Sequence, residues 1–238
     1  MIVFACISPH PPIILPSVGS QKDKKQVKKT IESLEFLGKK LSEAKPNTII
    51  ISSPHPDWGI KVPLHFLNSK IIVSKTEVFE KLENQNEKLQ FKIQNYQNPD
   101  NPIIEPNTIC PILTTLDSPK QHFEWGRQIY RLKIENCKLK IALIASGDLS
   151  HCLKSDGPYG FHPDGPKYDR ALIEALKKKD LETILKLDNI YPDAAECGLR
   201  SFCFLLGILE ASGSAWQPEI LSYEGPFGVG YLVADFQI

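Results

Sequence analysis

Apolar positions along this chain fall into two rhythms. Short β-branched runs bounded by breakers occur at residues 2–7, 48–53 and 139–145 and predict buried strands. Residues 218–223 and 229–235 read the same way, and weaker strand signals lie near 62–66, 70–74 and 109–113. Helical spacing covers roughly 22–44, 76–84, 119–135, 167–177, 180–187 and 196–211. Strands alternating with helices predict an α/β layer architecture. The last two strands are joined by Glu224-Gly225-Pro226-Phe227-Gly228, a link that suits an antiparallel hairpin. The expected fold is therefore one α/β domain over 1–238, with a mixed, mostly parallel central sheet and helices on both faces.

Two stretches break the rhythm. Residues 95–107 are rich in Asn and Pro and read as a surface excursion. Residues 154–167 form a second long loop of the kind that often covers a binding site. Asp164 before Gly165 reads as a turn residue.

Charge removes some function classes. Lys+Arg and Asp+Glu are both 28, which argues against a nucleic-acid or anionic-membrane surface as the main partner. The basic run from Lys22 to Lys29 is spaced like a solvated helix face. No stretch has the ~18 consecutive apolar residues of a membrane span. Residues 2–7 read as a strand and not as a secretory signal. The six cysteines form no C-x-x-C pair, so free thiols in a cytoplasmic protein are expected.

Candidate chemistry sits behind the strands. Ser8-Pro9-His10-Pro11 follows the first run, and Ser53-Pro54-His55-Pro56 follows the second. Each proline pushes its preceding residue toward extended geometry, so neither histidine continues into a helix. Two imidazoles are thus held on stiff turns at strand ends, where open α/β sheets bind ligands. A third strand leads into Ser146-Gly147-Asp148-Leu149-Ser150-His151. Gly147 permits a sharp exit from the strand. Asp148 and His151, three apart, would share a face on one helical turn, giving an Asp-oriented acid/base histidine. The competing reading makes Asp148 a helix cap and His151 an ordinary polar residue.

Glu196-Cys197-Gly198 precedes an apolar, central helix. Glu196 pairs either with Arg200 at i+4 or with a metal ion. Cys197 is the alternative ligand, suited to softer metals. Two histidines and a carboxylate match the face that holds Fe(II) with open positions, and equally an open zinc site.

The ordered set of these four motifs resembles the subunit-B superfamily of class III extradiol ring-cleavage dioxygenases, which also contains the Memo proteins. That resemblance implies Fe(II) bound by His10, His55 and Glu196, with His151, oriented by Asp148, as acid/base. It implies a small catechol- or aminophenol-like substrate and dioxygen as partners, bordered by Tyr159, Phe161 and His162 unless these simply pack, and in some family members a small helical partner subunit; a homodimer is the general expectation for a soluble enzyme. Two departures stand out. Family dioxygenases carry Asp-His-Gly where this chain has Leu116-Asp117-Ser118-Pro119, and His122 reads as a helix-face residue. Memo-like members use a cysteine near the third ligand, and Cys197 stands beside Glu196. A Memo-like metal-binding protein without dioxygenase activity and a zinc-dependent hydrolase are therefore the alternatives.

Overall fold

The computed structural model describes residues 1–67, 92–93, 97, 99–100 and 102–238. The expected strand at 70–74 and helix at 76–84 lie outside the described residues. Among the described residues, seven strands build one sheet: β1 (Ile2–Ser8), β2 (Thr48–Ser53), β3 (Lys92–Ile93), β4 (Thr108–Leu113), β5 (Ile141–Ser146), β6 (Gln217–Glu224) and β7 (Tyr231–Gln237). Their order is β3-β4-β2-β5-β1-β7-β6. Every neighbouring pair from β3 to β1 is parallel, while β7 runs antiparallel to β1 and to β6. The expected mixed sheet and terminal hairpin are both present.

Both faces of the sheet are covered, which is why its central strands read as continuous apolar runs. Successive residues alternate between two cores. Ile50, Leu143, Ala145 and Leu232 face one, and Ile49, Ile51, Ile144 and Val233 face the other. The second core is closed by α2 (Lys28–Ala44), which follows a short α1 (Gln21–Gln26), and by α3 (Trp58–Leu67). Thr30, Leu34, Leu37 and Leu41 give α2 its buried stripe. The single helix expected over 22–44 is instead broken at Val27, which is buried with non-helical backbone.

The strand expected at 62–66 is helical, within α3. Ile60, Leu64 and Leu67 are buried at i, i+4 and i+7, a helical period that a five-residue window cannot reveal. Pro63 stands inside the helix, past its first turn, and so leaves the Gly59 carbonyl without the usual i→i−4 donor.

On the other face lie α4 (Pro119–Ile129), α5 (Asp164–Lys178), the short α6 (Leu181–Ile184) and α7 (Leu187–Ile190), and α8 (Leu199–Ser212). A π-type turn at Tyr130–Ile134 extends α4. α8 begins at Leu199, so Glu196 and Cys197 precede the helix expected to start at 196. α4 and α8 cross with their backbones nearly touching. A Cβ on Gly207 would lie 2.0 Å from the Phe123 carbonyl, and one on Gly126 would lie 2.1 Å from the Phe204 carbonyl. Gly207→Ala gains about 1 kcal/mol of helix propensity. Forcing the backbones apart costs more, so a net loss of about 2 kcal/mol is expected in a denaturant titration.

Candidate metal centre

The parallel strands β1, β2 and β5 present their carboxyl ends at one edge of the sheet. Ser8 pairs with Ser146 in register, and the Gly147 N–H donates to the Ser8 carbonyl at 3.0 Å. The three histidine-bearing segments therefore leave the sheet side by side.

His10 is buried. Its backbone N–H donates to Asp148 Oδ1 at 2.9 Å, and its Nδ1 lies 2.9 Å from Ser146 Oγ. That contact turns Nε2 toward Cys197 Sγ, 3.7 Å away. His55 is exposed, and its turn is braced by Ser53, whose Oγ accepts from the His55 N–H and donates to the His55 carbonyl, both at 3.1 Å. The two imidazoles meet edge to face with centroids 5.2 Å apart.

The third group beside them is the Cys197 thiol: one ligand atom each from His10, His55 and Cys197 lies within 4.8 Å of the others. Glu196 is outside that group. Its Oε2 accepts from the Leu199 N–H at 2.6 Å, and its Oε1 lies 3.4 Å from Arg200 Nη1. The resemblance expects Glu196 beside His10 and His55; as the side chains stand, Cys197 lies there. Consecutive side chains diverge here, and Ala195, at a left-handed φ of 53°, sets the turn that sends Cys197 inward and Glu196 toward α8.

Glycine makes that approach possible. A Cβ on Gly147 would lie 2.2 Å from Gly198 Cα. Gly147 is needed for this contact and not for the strand exit, because its φ is not among the positive ones. The contact is sealed by hydrogen bonds from Gly198 N–H to the Asp148 carbonyl (3.0 Å) and from Asp148 N–H to Cys197 Sγ (3.3 Å).

Asp148 and His151 do face one site, though not through a helical turn. Residues 147–150 form neither helix nor strand; Leu149 N–H bonds to the Gly230 carbonyl, and His151 N–H bonds to that of Ala194. Asp148, His151 and Cys197 form a second close group, again within 4.8 Å. Tyr159 and Phe161 are both exposed, and Tyr159 lies edge-on to the His151 ring at 5.4 Å. His162 lies away from the centre, between Asp164 and Asp193 at 4.0 Å from each, and Asp164 opens α5.

Ser118 and His122 have structural work. Ser118 caps α4, accepting the Gln121 N–H at 3.2 Å. His122 is buried, with Nε2 accepting from Thr115 N–H at 3.1 Å and Nδ1 3.0 Å from the Ser118 carbonyl. Both ring nitrogens are used, as the helix-face reading requires.

Electrostatics prepare the site. Burial, and secondarily His55, lowers the His10 pKa to about 3, leaving a neutral imidazole ready to ligate. Burial raises Asp148 to about 6, opposed by the His10 N–H and by His151 and His55. Burial also lowers His151, with Asp148 opposing. At neutral pH the pair is an ionised carboxylate beside a neutral imidazole. Burial, then Asp148, pushes the Cys197 thiol up, so an adjacent cation is what would draw out its thiolate. Two imidazoles and a sulfur whose ligand atoms lie within 4.8 Å of one another fit a divalent metal ion.

A cavity of about 460 Å³ opens above these groups, bordered by His10, His55, Asp148 and His151. Trp58, Tyr231 and Val229 also border it, and motif reading did not single them out. Trp58 stands two positions after the second Ser-Pro-His-Pro, which is the signal that points to it in the sequence.

A histidine pair, a thiol and an Asp–His couple at the carboxyl edge of a mixed sheet define an α/β protein with a candidate metal centre. The chain belongs to the family of the catalytic LigB subunit of aromatic ring-opening dioxygenase, whose model matches residues 4–98 and 56–234. It is similar to Protein CA_C1420 of Clostridium acetobutylicum, 32% identical over 264 aligned positions covering 94% of this chain and 55% of that protein. The chain thus spans about half the length of this curated relative. Among solved structures, the uncharacterized protein JW3007 of Escherichia coli K12 shares the fold, with a TM-score of 0.52, 14% identity and coverage of 98% and 99% of the two chains. All six cysteines are free thiols, and among the described residues no helix is long and apolar enough to cross a membrane.

Proposed function

We propose that the chain is a metal-dependent ring-cleavage enzyme acting on a small aromatic diol or aminophenol with dioxygen. His10, His55 and Cys197 would hold the ion. The observation that carries this reading is the convergence of both Ser-Pro-His-Pro turns and the Asp148–His151 couple on one 460 Å³ cavity, a volume suited to a small molecule. Bound iron(II) would supply electron relay between the substrate and dioxygen. His151, neutral beside ionised Asp148, takes the proton of a substrate hydroxyl and later returns it. Asp148 stabilises the imidazolium formed between those events, and its Oδ1 holds the His10 backbone in place.

His151→Ala should retain the metal and lose turnover by about 10²–10⁴-fold, the usual range for a lost acid/base group. Metal analysis alongside turnover checks this, and loss of metal would remove His151 from the acid/base role.

A second reading is favoured by Cys197 standing where the resemblance expects a carboxylate, and by Ser118 serving as a helix cap. It is a Memo-like metal-binding protein without ring cleavage. Anaerobic loading with iron(II) or zinc, followed by a catechol and aminophenol panel under oxygen, separates the two. Ring-opened product with iron and none with zinc is expected. A filled iron site giving no product would leave the second reading standing.

A further inference from the structure

We infer that Trp58 is the residue that fixes the plane of the substrate, by stacking on a flat aromatic ring held above His10 and His55. This deepens the ring-cleavage reading and rests on it. Trp58 is the first residue of α3, three positions after His55, and it is 47% exposed. It borders the same cavity as the two histidines, Asp148 and His151. His10, His55, Asp148 and His151 give that cavity its polar groups, and the half-exposed indole offers a flat apolar face beside them. The other walls come from Pro11, Pro12 and Pro56, and from Val229 and Tyr231. Prolines keep such walls stiff.

The placement of the indole is not incidental to the site. A Cβ on Gly59 would lie 1.9 Å from Ser53 Oγ, so the first turn of α3 rests directly on that hydroxyl. The same hydroxyl bonds both the N–H and the carbonyl of His55. One serine therefore sets the position of the imidazole and of the helical turn that carries the indole. Lys61 Nζ lies 5.8 Å from the Trp58 ring centroid and 3.9 Å from Asp57, which further holds the ring.

The other two tryptophans have structural partners. Trp216 is buried, and its Nε1 donates to Glu210 at 2.9 Å. Trp125 packs on His122 with centroids 4.7 Å apart. Neither borders the cavity, so a fluorescence change on binding reports Trp58.

The test uses zinc-loaded protein, which binds without turnover. Catechol and the non-planar trans-1,2-cyclohexanediol are titrated, with calorimetry and tryptophan emission as readouts. Wild type should bind catechol with quenching. Trp58→Phe should keep catechol affinity within about threefold while losing the quench. Trp58→Ala should weaken catechol about tenfold and leave cyclohexanediol unchanged, since only a flat ring gains from stacking. Equal catechol affinity in wild type and Trp58→Ala, or quenching that persists in Trp58→Phe, would overturn the assignment while leaving the ring-cleavage reading intact. No catechol binding by wild type would overturn both.

Discussion

His10→Ala and His55→Ala are each expected to abolish metal retention, and they should differ in what they do to the fold. His55 is exposed, and the Ser53 hydroxyl that shapes its turn bonds backbone atoms that alanine keeps. His55→Ala should therefore stay within about 0.5 kcal/mol of wild-type stability. His10 is buried, and its ring contacts Ser146 Oγ. Removing it leaves a small cavity and an unpaired hydroxyl, which together cost about 2–3 kcal/mol. Metal content after dialysis, read beside the thermal midpoint of the metal-free protein, checks both. Metal retained in either variant would remove that histidine from the centre.

Gly147→Ala should damage fold and site together. The added methyl meets Gly198 Cα at 2.2 Å, backbone against backbone, with no flexible side chain to yield. Relief requires the end of β5 to part from the segment before α8. That movement stretches the bonds from Asp148 N–H to Cys197 Sγ and from Gly198 N–H to the Asp148 carbonyl. A loss of about 3 kcal/mol is expected, at the upper end for overpacking. Metal affinity should fall as well, because Cys197 is carried away from His10. Unfolding midpoints and metal titration of the same variant test the coupling. Reduced stability with unchanged affinity would show that the Gly147–Gly198 contact does not position the thiol.

Much of this was legible in the chain because the fold announces itself at strand ends. The runs before Ser8, Ser53 and Ser146 are apolar on both faces, and the breakers after them mark where side chains leave the sheet. The two histidines and the Asp148–His151 couple follow from that logic. The helical reading of residues 147–151 did not hold, because that segment bonds to Gly230 and Ala194, partners remote in sequence. The strand signal at 62–66 rests on β-branched Val62, which lies in a helix whose period needs ten residues to emerge. The choice between Glu196 and Cys197 depends on the left-handed turn at Ala195, and an alanine gives no local sign of positive φ. Trp58 needed the cavity before its exposure meant anything. His122 went the other way: its position after Ser118-Pro119 suggested a helix face, and both ring nitrogens are bonded there.

The central claim is that Cys197, with His10 and His55, holds the ion. X-ray absorption at the zinc edge of zinc-loaded protein tests it most directly. One sulfur at about 2.3 Å with nitrogen neighbours at about 2.0 Å is predicted, and the sulfur should vanish in Cys197→Ser while remaining in Glu196→Gln. A wild-type shell of nitrogen and oxygen alone, altered by Glu196→Gln, would contradict it and return the third position to Glu196.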